Sequence, residues 1–136
     1  MPGLHFEFVS PERVLFSGDV DQVDLPGLEG DMGILPNHAP LVTVLRPGIL
    51  TIFREGQREP MVVTGGFAEV GPGGLTVLAD RAVARDDFDV TVLAGDIKDT
   101  EEDIADTEDA AQRDKLARKL EQLKSLQHAL AAPASS

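Results

Sequence analysis

The chain has 136 residues, 42% of them hydrophobic, carries a formal charge of −12 and contains no cysteine. That length suits one ordinary domain with at most a small appendage, and the apolar fraction supports a packed core. The missing cysteines exclude disulfides, thiolate nucleophiles and cysteine-bound metals, while the acidity disfavours nucleic acid and anionic bilayers and points to a basic protein surface as partner.

The start, Met1-Pro2-Gly3-Leu4-His5, lacks the basic and apolar stretches of a signal peptide, and no run of eighteen apolar residues follows, so a soluble, unexported protein is expected. Leu4 to Val9 alternates apolar and polar residues, as a half-buried strand does. Ser10-Pro11-Glu12-Arg13 makes a turn, Val14 to Ser17 resumes the chain, and Asp19 to Leu25 alternates again, with Val20, Val23 and Leu25 as core candidates. Leu41 to Leu45 and Ile49 to Phe53 flank the reversal Arg46-Pro47-Gly48. Met61 to Thr64 leads through Gly65-Gly66 into Phe67 to Val70, and Gly71-Pro72-Gly73-Gly74 closes a hairpin onto Leu75 to Ala79.

Beyond Arg85 the grammar changes. Residues 1–85 hold 12 of the 13 glycines, 8 of the 9 prolines and five of the six phenylalanines. They carry 6 basic and 11 acidic residues, whereas residues 86–136 carry 6 basic and 13 acidic. Leu116, Leu120, Leu123 and Leu130 fall on one helical stripe, with Leu126 beside it. A weaker helix runs through Leu93, Ile97 and Ile104, opposed by Val90-Thr91-Val92 and by Gly95. The expected architecture is mainly β with an α appendage: a two-sheet β-sandwich or barrel of about eight to ten short strands. It spans residues 1–85, followed by an antiparallel helical hairpin over 86–131, joined near Thr107, and a flexible tail over 132–136.

Glu29-Gly30-Asp31-Met32-Gly33-Ile34-Leu35-Pro36-Asn37-His38-Ala39-Pro40-Leu41 closely resembles the signature loop of the epsilon subunits of F-type proton-translocating ATP synthases, which are called delta in mitochondria. Gly65-Gly66-Phe67-Ala68-Glu69-Val70 resembles the family's Gly-Gly-aromatic-x-Glu-Val stretch. Leu75 to Asp80 and the opening Phe8-Val9-Ser10-Pro11-Glu12 with Phe16-Ser17-Gly18 fit as well. The resemblance is dense over residues 4–85 and architectural over 86–131. It implies a sandwich on the foot of the rotating gamma subunit, touching the polar loops of the c-ring, with helices that in some members extend into the alpha/beta catalytic head and block ATP hydrolysis.

Taken by position alone, Glu29 and Asp31 are turn carboxylates. The resemblance makes Glu29, Asp31, Met32 and His38 contacts to the c-ring or gamma. Gly30 and Gly33 permit positive φ and Pro36 and Pro40 remove backbone donors, so the segment reads as a stiff exposed loop. Gly65 and Gly66 read as a bulge or a close backbone approach. His5, His38 and His128 show no ligand-like spacing and no metal is expected; His38 lacks a nucleophile or carboxylate at catalytic spacing. Gly71-Pro72-Gly73-Gly74 lacks the following Lys and Ser/Thr of a phosphate loop. Some members bind ATP through Ile/Leu-Asp-x-x-Arg-Ala; here Asp89 matches and the arginine is absent, so no cofactor is expected. Leu116, Leu120 and Leu123 are the expected hairpin-packing residues.

Eleven carboxylates against Lys98 alone, between Asp86 and Asp109, read as a solvated helix face weakened by repulsion. Only Arg113, Lys115, Arg118, Lys119 and Lys124 offer a basic surface beyond it, so a regulatory role for the helices stays open. The expected function is a non-catalytic central-stalk subunit coupling c-ring rotation to ATP synthesis through gamma. Its expected place is peripheral, on the cytoplasmic face of the bacterial inner membrane. The alternative is an independent ligand-binding sandwich whose helical hairpin dimerises.

Overall fold

In the computed structural model, which describes residues 3–131, strands come first and helices last. The first strand shows how sequence alternation becomes a core. In β1 (Leu4–Val9), Leu4, Phe6 and Phe8 are buried while His5 is exposed, because successive side chains leave opposite faces of a strand. β1 pairs antiparallel with β2 (Val14–Val20) and parallel with β9 (Gly74–Ala79). The Phe6 ring stacks 5.6 Å from Phe8 and lies 5.7 Å from Phe16 of β2, within the range where aromatic pairs add to simple burial.

The remaining strands are β3 (Gln22–Gly27), β4 (Gly30–Ile34), β5 (Leu41–Leu45), β6 (Gly48–Arg54), β7 (Gln57–Val63), β8 (Gly66–Gly71) and β10 (Ala82–Ala84). One hydrogen-bonded ladder joins them in the order β10-β7-β6-β3-β5-β8-β9-β1-β2, with β4 attached to β3 alone. The sheet folds over its own apolar face, so that the Arg54 guanidinium at the end of β6 lies 4.9 Å over the Phe16 ring. Val23, Leu25, Ile34, Leu50, Ile52, Val63, Leu75 and Val77 join the phenylalanines inside. Each such side chain stabilises the fold by roughly 1.5–3 kcal/mol when withdrawn from water. The expected β-sandwich followed in sequence by two helices is the observed fold.

Three details differ from the sequence expectation. The stretch Asp19 to Leu25 is two strands, broken at Asp21, whose backbone N–H donates to Phe53 O (2.8 Å) and whose carboxylate accepts from Glu55 N (3.2 Å). A hairpin between β6 and β7 turns on Glu55-Gly56, both at positive φ (55° and 77°). That is the signature of the tight turns whose twist suits a hairpin. The signature segment is also less of a loop than expected. Gly30–Ile34 is a strand paired residue for residue with β3, and Ile34 is fully buried.

The chain divides into two compact units at Asp87 and Phe88, after a 3₁₀ turn at Arg85–Asp87. In the second, α1 (Val90–Asp106) starts despite its β-branched opening because Asp89 caps it, its carboxylate accepting from Thr91 N (2.9 Å) and Val92 N (3.4 Å). Thr100 completes the stripe of Leu93, Ile97 and half-buried Ile104, with its hydroxyl donating to Asp96 O at 2.7 Å. Thr107 caps the C-terminal end, and Asp109 accepts from Ala111 N to open α2 (Ala110–Ala131). The helices fold back on one another, with Lys124 Nζ 3.6 Å from Glu101. In α2 Leu126 is buried, whereas Leu116, Leu120 and Leu123 are half-buried. The Lys124–Glu101 pair lies next to buried Thr100 of the α1 stripe. The expected tail, 132–136, lies outside the described residues.

Candidate docking surface

The tip of the β3–β4 hairpin is exposed, although most of β3 beneath it is buried. Gly27 pairs with Gly30 across the tip Leu28-Glu29, and Gly30 takes φ 149°, a conformation that suits glycine. Glu29, Gly30 and Asp31 are exposed, while Met32 is half-buried and packs against the core. Gly33 is not in the left-handed region, contrary to expectation. A Cβ there would meet Asp24 Oδ1 at 3.1 Å and Gln22 Nε2 at 3.2 Å, so glycine serves close packing instead of a turn. Asp31 is not a free carboxylate, since Arg46 donates to it through Nη2 and to Gly27 O through Nη1.

Past Ile34 the chain turns at 35–38, with His38 N–H donating to Leu35 O at 3.2 Å and Asn37 at φ 67°. Asparagine is among the few residues that accept this conformation, a signal the sequence reading passed over. Pro36 is half-buried and Pro40 exposed, and the His38 ring donates through Nδ1 to Ala39 O at 2.7 Å. His38, Asn37 and His5 line a shallow cleft of about 260 Å³ whose far wall is the β8–β9 turn at Gly71-Pro72-Gly73-Gly74.

An apolar strip that sequence reasoning missed runs from the hairpin tip across the sheet. Leu28, whose N–H donates to Val44 O at 2.8 Å, is 54% exposed, and Val42, Val44 and Phe67 are 66%, 55% and 45% exposed. Val44 stands opposite Phe67 in the β5–β8 ladder. The alternation in Leu41 to Leu45 held the signal: when both faces of a strand carry aliphatic residues, one set is left facing outward. At Gly66, φ 129° and an added Cβ only 2.0 Å from Leu78 O explain why glycine opens β8 there, with Gly65 at φ 130° before it.

On the outer face of β1 and β2, His5 Nε2–H donates to Glu7 Oε1 (2.8 Å) and Nδ1–H to Asp19 Oδ1 (3.2 Å), an arrangement that engages both ring nitrogens as donors only in the imidazolium. The hydrogen bond to Glu7, then that to Asp19, raises the His5 pKa above its ordinary value. Donation from Ser17 Oγ, then from His5, lowers that of Glu7. Among the described residues no group of three or more His, Cys, Asp or Glu is arranged to hold a metal, and no helix is long and apolar enough to cross a membrane. Asp89 sits at the head of α1, its carboxylate engaged in capping.

A β-sandwich carrying a helical hairpin, with its distinctive features spread over open surface, defines a class of protein that meets other proteins by its faces. Residues 3–85 match the family model for the ATP synthase delta/epsilon chain β-sandwich domain. The chain is 47% identical over 134 residues to the ATP synthase epsilon chain of Rhodopseudomonas palustris (strain BisA53), covering 98% of each. It is 51% identical over 114 residues to that of Maricaulis maris (strain MCS10), covering 84% of this chain and 86% of the relative. Among solved structures it is similar to a chain of the Euglena gracilis mitochondrial ATP synthase assembly of OSCP, F1 and c-ring, with TM-score 0.80 and 26% identity over 96% of this chain and 82% of that one. A chain of the Tetrahymena thermophila central stalk and c-ring shares the fold at TM-score 0.60 and 13% identity, over 89% and 93%. The chain belongs to the ATP synthase delta/epsilon chain family.

Proposed function

We propose that this chain is a non-catalytic central-stalk subunit of ATP synthase that couples c-ring rotation to ATP synthesis through gamma. ATP synthase is a membrane-associated complex; on this reading the chain is held to it peripherally, on the cytoplasmic face of the bacterial inner membrane. The observation that carries the division of labour is the continuity of two surfaces at Leu28: the acidic hairpin tip, Glu29 and Asp31, on one side, and the apolar strip through Val44 and Phe67 on the other. The strip suits burial against gamma, and the tip with Met32 and His38 suits the polar loops of the c-ring, where charge fixes register and approach. Residues 1–85 then form the docking sandwich. The helices of 86–131 modulate hydrolysis at the alpha/beta head, with the basic residues of α2 as the contact surface. Nucleotide binding is not part of this role, because Asp89 lacks an arginine partner and its carboxylate already caps α1. The rival, a free module dimerising through its hairpin, is disfavoured because the relative matched over 98% of both chains is an ATP synthase epsilon chain.

Because the chain has no cysteine, a single Glu29→Cys carries a unique thiol. In the assembled complex a short bifunctional reagent should join it to the c-ring, while Glu55→Cys in the β6–β7 turn should not react. Absence of the Glu29 adduct in a complex that retains the subunit would overturn this placement of the hairpin.

A further inference from the structure

The β3–β4 hairpin is weakly moored by its backbone. Among the described residues β4 pairs with β3 and with no other strand. β3 itself leaves β6 after Asp24 and meets β5 at a single residue pair, Gly27 with Leu45. A two-stranded ribbon of this kind is marginal without further support. Beside the buried side chains of Val23, Leu25 and Ile34 and the Leu28 N–H to Val44 O bond, one residue outside it ties both strands. Arg46, at the end of β5, donates its backbone N–H to Pro26 O at 2.9 Å, its Nη1 to Gly27 O and its Nη2 to Asp31 Oδ1. Arg46 thus ties both strands of the hairpin through its side chain and β3 through its amide, beside the Leu28 N–H to Val44 O bond at the tip.

The arginine is fixed in turn. Its side chain is 24% exposed against 79% for Asp31, Pro47 restricts the backbone that follows, and a Cβ at Gly48 would come within 2.8 Å of Pro26 Cβ. The turn Arg46-Pro47-Gly48 thus sits directly on β3. An exposed ion pair alone contributes little, but a planar fork that satisfies a backbone carbonyl and a carboxylate together imposes geometry that a lysine ammonium does not.

We propose that Arg46 is the positioning residue of the contact hairpin: it sets the angle at which the tip leaves the sandwich and shares the Asp31 charge, leaving Glu29 as the unpaired acid of the tip. This rests on the reading of the hairpin as the c-ring contact. In the full-length isolated chain, Arg46→Gln should speed amide exchange across Gly30–Ile34 by roughly tenfold or more, since hydrogen bonds to charged groups contribute about 1.5–3 kcal/mol. Exchange in the β6–β7 hairpin should not change. Arg46→Lys should fall between Gln and wild type. In the assembled enzyme the same order should appear in protons pumped per ATP hydrolysed, with hydrolysis itself retained. Asp31→Asn added to Arg46→Gln should cost little beyond Arg46→Gln alone, because both remove one tie.

Unchanged exchange in Arg46→Gln, or a rise spread evenly over all strands, would overturn the proposal, as would full pumping despite a loosened β4. The Glu29→Cys cross-link in the wild-type background separates the two failures. If it forms while Arg46→Gln pumps normally, the positioning role alone is wrong. If it does not form, the hairpin is not the contact and the reading beneath falls as well.

Discussion

In the sandwich, Phe6, Phe8, Val23, Ile34, Leu50, Val63 and Val77 are completely withdrawn from solvent, whereas in the helical hairpin Leu93, Ile97 and Leu126 are the buried apolar residues among those described. The sandwich closes on a core drawn from strands far apart in sequence. The hairpin relies on caps and a sparse stripe, and α1 carries its acidic run on exposed faces. The hairpin relies on helix propensity and a few packed leucines with little buried apolar surface, while a core of this kind holds a sheet firmly. A rigid unit suits the transmission of torque. A sparsely packed one suits rearrangement, because elements that move are drawn from the least stable parts of a structure.

Removing the hairpin tests this contrast most severely. A chain ending at Asp87 should still fold as a sandwich, keep its cooperative melt, and support growth by ATP synthesis in a strain lacking the subunit. A folded, abundant fragment that fails to restore growth would mean that coupling needs the helices. Within the intact chain, Leu126→Ala should cost about 2–5 kcal/mol, all of it in the hairpin. Far-ultraviolet circular dichroism should lose helix signal while amide protection of β1 and β9 stays. A parallel loss in those strands would erase the distinction between the units. Asp89→Ala should cost about 0.5–2 kcal/mol of helix stability, read as faster exchange over the first turn of α1. Calorimetric titration of the wild-type chain with ATP should give no heat of binding in the micromolar range.

How far the sequence could be read follows from where its signals are local. The strands of β1 and β9 alternate cleanly and were legible, as was the switch to helical spacing beyond residue 85. The Glu55-Gly56 hairpin was missed because Glu at positive φ has no compositional signature, and Gln57 to Pro60 is polar enough to pass for a loop. The signature segment was read as a loop because its glycines and prolines dominate the eye, yet Met32 and Ile34 keep strand alternation toward the core. The paired state of Asp31 was beyond reach for a different reason: Arg46 lies fifteen residues away, and nothing local in the chain links the two. Leucine spacing identified α2 but not which leucine is buried, since that depends on which side chains of α1 it meets.

The smallest effect concerns pH and belongs to the sandwich surface. The His5 pKa is raised above 6.5 by its hydrogen bonds to Glu7 and Asp19. Its contribution to stability is therefore fully present below 6.5 and fades as pH rises through the higher folded value. Glu7 is shifted the other way, below 4.5, by Ser17 and His5, so its contribution is present above 4.5 and is lost as pH falls through the lower folded value. The two overlap between 4.5 and 6.5, and there the β1–β2 cross-strand cluster should hold the sheet edge best. Because the groups are solvent-exposed the gain is small, so the informative measurement is a difference. The melting temperature of wild type minus that of His5→Gln should be largest in that window and shrink toward about pH 8, where imidazole is neutral. His5→Gln leaves the buried face of β1 untouched, so any change traces to the outer cluster. Proton resonances of the His5 ring give the check independent of stability: a midpoint at or below 6.5 in the folded chain would mean that Glu7 and Asp19 do not hold the imidazolium in solution.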